Sequence, residues 1–458
     1  MSSCIVRIEG DLIKHPVSLK NLSVFLQDQS AARFLVVSTL PEIEALIGQA
    51  IEQVFHSEDL PDRVISRLTA IWQETLAGEP TADYRGEADK LANLLKGIFL
   101  TGDYSPALGD FLKSQGEVLS AHLVREALHH DGTQTEVLLP GAIGLESTLD
   151  FGNATFIRVS REFPGNLPSD SIWIIPGSFG ITEGGRIARA GAAAADYTAA
   201  FLAAETRSER LILWGTARDF YAADRSVVPD ARIIERLTYS EASELAYFDH
   251  FSLHPRAVEP LVSRHIPIHV VNPETAGAEP VTIINTESFI APGVVKSVAC
   301  TDDISILKLN GPGVGLKPGI LARITGKLAE ASVNIKSVIT SQVSINILLD
   351  SKSGQLASRV AKDLGFTAVS EIELLEEVSL IAIVGHGMQS SYGISAKLFG
   401  AVAQNHINVI LSGSGASDLV SYLLVHSSDR RKSVRAIYDA FFNTEVTIAE
   451  AGDPPVGR

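Results

Sequence analysis

The chain has 458 residues, 45% hydrophobic and 20% charged, with a formal charge of −16 from 38 Lys+Arg against 54 Asp+Glu. That composition excludes a disordered chain, and the charge opposes approach to a polyanion, so no nucleic acid is expected as a partner. No run approaches the roughly 18 apolar residues of a membrane span, and Arg7 and Glu9 interrupt the N-terminus before a signal sequence develops; no membrane partner and a cytoplasmic location are expected.

At roughly 150 residues per domain the length suggests about three domains. In chain order, Cys4–Arg7, Phe34–Ser38, Glu136–Leu139, Ser171–Ile175 and Leu211–Trp214 read as strands, and the stretch between Val36 and Leu128 is rich in helical patterns. The Ala-dense segment Ala190–Glu205 predicts a helix starting near Gly191. Such alternation implies an α/β sandwich around a largely parallel sheet over residues 1–290. Helical content falls beyond Ile283, and Ala291-Pro292-Gly293 marks a boundary within Thr286–Val295.

Two similar patterns follow, each strand, Gly-containing turn, helix, strand, turn, strand, helix: one over 300–372 and one over 373–444. A repeat of about 70–75 residues fits two ferredoxin-like βαββαβ modules, with a last strand at Glu445–Ala449, within 445–450, returning to complete the first. The two cysteines, Cys4 and Cys300, have neither disulfide-framework nor metal-ligand spacing, and no metal site is expected from them.

The C-terminal wording is specific. Pro292-Gly293-Val294-Val295-Lys296-Ser297, Ile339-Thr340-Ser341-Gln342-Val343-Ser344-Ile345, Ala382-Ile383-Val384-Gly385-His386-Gly387-Met388 and Val434 to Phe442 resemble the regulatory ACT pair of aspartokinases. Upstream, Gly116-Glu117-Val118-Leu119-Ser120, Gly177 to Gly180, Asp196-Tyr197-Thr198-Ala199 and Leu253-His254-Pro255-Arg256 resemble the aspartokinase catalytic domain, an amino-acid-kinase fold. The resemblance implies transfer of the ATP γ-phosphoryl group to the side-chain carboxylate of aspartate with Mg²⁺, chemistry that depends on positioning and charge neutralisation.

The positions that match the family's site are Arg7, Gly10, Glu117 and Asp196, but the surrounding residues depart from its pattern. The family's opening Lys-Phe-Gly-Gly stands here as Arg7-Ile8-Glu9-Gly10, so Glu9 brings a carboxylate to a phosphate position. Like unit charges at ~4 Å and an effective dielectric near 20 cost roughly 4 kcal/mol, about a thousandfold in binding. The family's Gly-Arg-Gly-Gly-Ser-Asp stands as Gly191-Ala192-Ala193-Ala194-Ala195-Asp196, which removes a carboxylate-binding arginine, two glycines and a hydroxyl. The threonine run before it becomes Ile187-Ala188-Arg189, and the nucleotide-side segment reads Gly215-Thr216-Ala217-Arg218-Asp219; Arg189 or Arg218 could supply a replacement cation.

For the effector, the resemblance points to Gly319, Ile320 and Leu321 at a helix entry and to Asn334, Ile335, Thr340, Ser341 and Gln342 around the following strand. Free N–H groups at the helix start suit an α-carboxylate, and strand carbonyls suit an α-ammonium. Lys336 and Gln342 stand where the family carries acids, which disfavours lysine and leaves threonine, or another non-lysine amino acid, as the expected effector; Lys336 pointing into solvent is the alternative. Two readings stay open. One is an impaired aspartokinase homologue that forms a homodimer through its ACT modules, senses an amino acid and acts on a partner enzyme. The other is an active aspartokinase using ATP and Mg²⁺.

Overall fold

The computed structural model describes all residues except 1–3, 29–31, 77, 161, 164, 166, 168–170, 216–219, 249–252, 275–278, 288–293, 415–416 and 444–458. It divides into two compact units, one of Met1–Phe220, Glu235–Ala246 and Phe251–Glu287, the other of Tyr221–Ile234, Tyr247–His250 and Ser288–Arg458.

In the first unit the chain runs β1 (Cys4–Ile8), α1 (Pro16–Asp28), β2 (Ala32–Val37), α2 (Pro41–Gln53), α3 (Leu60–Leu76), α4 (Ala82–Thr101), α5 (Pro106–His130) and β3 (Thr135–Val137). Short strands β4 (Glu146–Ser147), β5 (Phe156–Arg158), β6 (Ile172–Pro176), β7 (Phe179–Ile181) and β8 (Ile187–Arg189) follow, then α6 (Ala195–Glu205), β9 (Arg210–Trp214), β10 (Arg236–Thr238), α7 (Tyr239–Leu245), α8 (Glu259–Val262), β11 (Ile268–Val271) and β12 (Pro280–Asn285). The main sheet has eight strands in the order β10-β12-β11-β9-β1-β2-β6-β3. Every pair in it is parallel except β11 with β12. All five residues of β1 are buried, as a strand covered on both faces by helices requires. A small second sheet, β5-β4-β7-β8, takes β4 and β5 from the connection between β3 and β6, and β7 and β8 from the connection between β6 and α6.

Helix α6 begins at Ala195, four residues after the expected start at Gly191. Gly191 (φ 111°) and Ala193 (φ 53°) hold a left-handed turn that a right-handed helix cannot contain. Gly177 allows this turn to dock: a Cβ there would stand 2.7 Å from Ala195 Cβ.

The second unit contains β13 (Ser297–Thr301), β14 (Ser305–Asn310), α9 (Ile320–Glu330), β15 (Ile335–Thr340), β16 (Ser344–Leu349), α10 (Gly354–Asp363) and β17 (Glu371–Leu375). It continues through β18 (Val378–Val384), α11 (Ile394–Gln404), β19 (Leu411–Gly413), β20 (Val420–His426) and α12 (Arg430–Tyr438). Its two antiparallel sheets are β15-β16-β14-β17 and β13-β18-β20-β19. The segment 445–450, expected to complete the first module, lies outside the described residues; among those described, β14 pairs with β16 and β17. The fourth strand of the second module is β13, which precedes the whole first module in sequence. Ile304, Ile306, Leu348, Val378 and Leu424 form one apolar cluster shared by the two modules. Among the described residues no helix is long and apolar enough to cross a membrane.

Neither cysteine forms a disulfide among the described residues, and both are buried. Burial pushes the Cys4 thiol up to about 11 from 9.0, only partly opposed by Arg210. The folded state therefore holds this proton more tightly, so its contribution is complete below pH 9 and lost as pH rises toward 11. The Cys4 share of the loss across that window, read from urea titrations as the difference between wild type and Cys4→Ala with each referred to its own value at pH 8, is expected to be on the order of 2 kcal/mol; the buried Tyr84 and Tyr239 hydroxyls, also pushed upward, leave a remainder in both proteins.

Candidate functional site

Strand β1 ends beneath a cavity of about 420 Å³, lined by Arg7, Glu9, Gly10, Asp11, Ser38, Thr39, Pro41, Ala192, Ala193, Asp196, Leu253, His254 and Pro255. Three of the four predicted catalytic positions, Arg7, Gly10 and Asp196, thus meet in one place. Parallel strands β1 and β2 deliver the first loops to this edge, and the turn before α6 supplies the opposite wall.

Arg7 and Asp196 are 3% and 2% exposed, and Arg7 Nε lies 2.6 Å from Asp196 Oδ1. Glu9 Oε1 lies 3.9 Å from Arg7 Nη1. Asp196 sits in the first turn of α6, a favourable place for an anion, and its Oδ2 accepts the His254 backbone N–H at 3.0 Å. Burial holds the His254 imidazole below the usual histidine range, against the pull of Asp196, so it is neutral at pH 7. Gly10 donates its N–H to Ser38 Oγ at 3.1 Å, and a Cβ at residue 10 would stand 2.4 Å from the Ser38 carbonyl oxygen.

The described lining therefore sets one guanidinium, already against a carboxylate, beside the three carboxylates of Glu9, Asp11 and Asp196. Ala192 and Ala193 add no polar side chain. Phosphates and substrate carboxylates are generally held by converging cations and free N–H groups, and the described lining supplies one cation, Arg7. Among the described residues no group of three or more His, Cys, Asp and Glu side chains is arranged to hold a metal ion.

Glu117, the fourth predicted position, does not line the cavity. It is 1% exposed, not the helix-surface carboxylate its sequence neighbourhood allows, and its Oε1 lies 2.7 Å from Arg189 Nη2. Burial pushes its carboxyl upward, opposed by the Arg189 charge and hydrogen bond. Arg189, a candidate replacement cation, is thus committed to Glu117; Arg218 and the segments Thr216–Asp219 and Asp249–Phe251 lie outside the described residues. Asp110 was not legible as a site-supporting residue: from the first turns of α5 its Oδ2 accepts the backbone N–H of both Gly152 and Arg189 at 2.8 Å. No spacing signal marks it, since both partners are distant in sequence.

In the first ACT module, Gly319 (φ 88°) precedes α9, Ile320 packs in the module core, and Leu321 is exposed. The turn carrying Thr340, Ser341 and Gln342 lies beside this helix entry, where Gly315 N–H donates to the Gln342 carbonyl at 2.9 Å. Asn334 and Ile335 lie at the other end of β15, roughly 17 Å away for a six-residue strand, so within one chain the predicted set forms two groups. Lys336 is exposed, and at the surface its Nζ lies 2.8 Å from Asp350 Oδ1 and 3.3 Å from Asp303 Oδ2.

The amino acid kinase family matches residues 18–272, and ACT domain families match 299–360 and 381–441. Curated relatives include a bifunctional aspartokinase/homoserine dehydrogenase of Haemophilus influenzae, 27% identical over 78% of this chain and 45% of that protein. Aspartokinase 2, chloroplastic, of Arabidopsis thaliana is 28% identical over 80% of this chain and 70% of its own. The chain spans about half the length of the bifunctional relatives it matches. Among solved structures, E. coli aspartokinase III in complex with aspartate and ADP superposes with a TM-score of 0.75 at 22% identity, covering 96% of this chain and 100% of that one. The same enzyme with lysine and aspartate gives 0.69 at 22%, covering 96% and 99%. Clostridium acetobutylicum aspartate kinase gives 0.72 at 18%, covering 96% and 100%. The chain belongs to the amino acid kinase family, carries two ACT domains behind its kinase domain, and has aspartokinases as its relatives.

Proposed function

We propose that this chain is an aspartokinase homologue impaired in phosphotransfer, acting as an amino-acid-sensing regulatory protein in aspartate-family amino-acid metabolism. The observation that carries the reading is the cavity lining: three carboxylates around one guanidinium, with that guanidinium 2.6 Å from Asp196 and alanines where the family resemblance calls for arginine and glycine. A triphosphate and a dicarboxylate would both meet net negative charge there.

Sensing rests on the ACT pair. The entry of α9 offers backbone N–H groups to an α-carboxylate, while the neighbouring turn at Thr340–Gln342 offers hydroxyl, amide and carbonyl groups. Solved neighbours are described as binding aspartate, ADP and, in one form, lysine. For this chain a neutral amino acid such as threonine is the better effector, because Lys336 on the edge strand already takes up the Asp350 and Asp303 carboxylates that a lysine side chain would need. A homodimer through the ACT modules, joining the two separated halves of the effector set, and a partner enzyme of the same metabolism complete the proposal.

The second reading, ATP- and Mg²⁺-dependent phosphorylation of aspartate, is favoured by the presence of Arg7, Gly10 and Asp196 in one cavity. Hydroxylamine trapping of aspartyl phosphate from ATP, Mg²⁺ and aspartate decides: no hydroxamate above a heat-killed control is expected, and turnover of 1 s⁻¹ or more, ordinary for a kinase at roughly 1–100 s⁻¹, sinks the proposal. A thermal-shift screen at millimolar amino acid tests sensing, with threonine or another neutral amino acid expected to stabilise more than lysine.

A further inference from the structure

The buried Glu117–Arg189 pair carries an inference beyond loss of the ordinary site. Glu117 lies in the middle of α5, and Arg189 closes β8; the two are 1% and 8% exposed. They touch through a single bond, Nη2 to Oε1 at 2.7 Å. Arg189 Nε and Glu117 Oε2 have no partner at hydrogen-bonding geometry among the described residues, although the Ser178 hydroxyl is near enough to favour the ionised carboxylate. Arginine–carboxylate pairs frequently use both arms of the guanidinium fork, and this pair uses one.

The backbone around Arg189 is held without its side chain: Asp110 accepts the Arg189 N–H, and β8 pairs with β7. Asp110 and Glu44 add further negative potential at the guanidinium. The pair also adjoins the cavity. A Cβ on Gly116, the residue before Glu117, would stand 2.8 Å from Thr39 Cγ2, and both Thr39 and Ala192, three residues after Arg189, line the cavity.

We propose that Arg189 acts as a built-in ligand, its guanidinium filling a buried cation subsite whose anion is Glu117, and that truncating Arg189 opens this subsite to small ammonium or guanidinium compounds. The proposal deepens the reading of an impaired kinase unit, on which it rests: a ligand ammonium seeking Glu117 competes with the chain's own arginine.

The experiment compares wild type, Arg189→Ala and Arg189→Ala/Glu117→Gln by thermal melting, with methylguanidinium chloride against equimolar sodium chloride. Arg189→Ala is expected to lose on the order of 10 °C, because Glu117 is left buried without its cation. Methylguanidinium at about 50 mM is expected to restore a few degrees in that variant and none in wild type or the double variant. If Arg189→Ala does not accumulate folded, its recovery on refolding from urea with methylguanidinium against equimolar sodium chloride replaces melting as the readout. No stabilisation of the single variant, or equal stabilisation of all three proteins, overturns the proposal. The hydroxamate assay on wild type is a separate readout, so failure of the impaired-kinase reading and failure of the subsite are told apart.

Discussion

Arg7→Ala is expected to lower the melting temperature of the kinase unit by about 10 °C, among the largest single-site effects anticipated in this chain. Removing one member of a buried ion pair typically costs ~3–5 kcal/mol, and each kcal/mol shifts melting by roughly 2–4 °C in a domain of this size. Arg7 and Asp196 meet that condition, both nearly inaccessible and 2.6 Å apart. The informative partner is Arg7→Met/Asp196→Leu. Apolar replacement of both charges removes two desolvation penalties together with the attraction, so the double variant should recover roughly half of the loss or more. It will not recover all of it, because Asp196 also accepts the His254 N–H. Calorimetry of wild type, Arg7→Met, Asp196→Leu and the double variant gives the coupling directly, and strictly additive losses would mean that the pair is not a unit.

Gly10→Ala should be comparably severe for a steric reason. Its Cβ would stand 2.4 Å from Ser38 O and 2.6 Å from Leu40 N, both backbone atoms that no rotamer change can move aside. Forcing a methyl group into packed backbone costs roughly 3 kcal/mol, through separation of the β1 and β2 loops that frame the cavity. Gly86→Ala is the internal contrast. Gly86 lies inside α4 with nothing within 4 Å of its added Cβ, and the substitution should stabilise by about 0.5–1 kcal/mol through helix propensity. Urea midpoints of the two variants, moving in opposite directions from wild type, check both claims; a neutral Gly10→Ala would show that the loops are free to part.

Much of this architecture was legible from local pattern. The continuous apolar run of β1 declares a strand buried on both faces, and the alternation over 300–444 marks two ferredoxin-like modules before any strand is paired. Legibility ended where partners are distant. Strands of two and three residues, such as β4 and β7, carry no readable period, and their sheet exists only because the β6–α6 connection pairs with the β3–β6 connection. The start of α6 was misplaced because alanines read as helix formers even when one of them, Ala193, takes a left-handed conformation. At the site, the residue types were visible, but not that Arg189 would face Glu117 from 72 positions away instead of the cavity. Lys336 was readable as a departure from the family's acid, while its contacts with Asp303 and Asp350 needed the fold.

Strand β13 has a consequence for the order in which the protein is made. Ser297–Thr301 leaves the ribosome before any residue of the first ACT module, yet it pairs with Val378–Val384, which follows that entire module. At about 5–20 residues per second, the strand waits several seconds with its backbone groups unpaired. During that interval the first module can close its own four-stranded sheet, whereas the second cannot. Maturation of the pair is thus sequential, inner module before outer, and an excised 378–443 fragment would lack an edge of its sheet. The pair is nested, not strung like beads, so recombination at the linker between the modules would leave the outer one without its first strand.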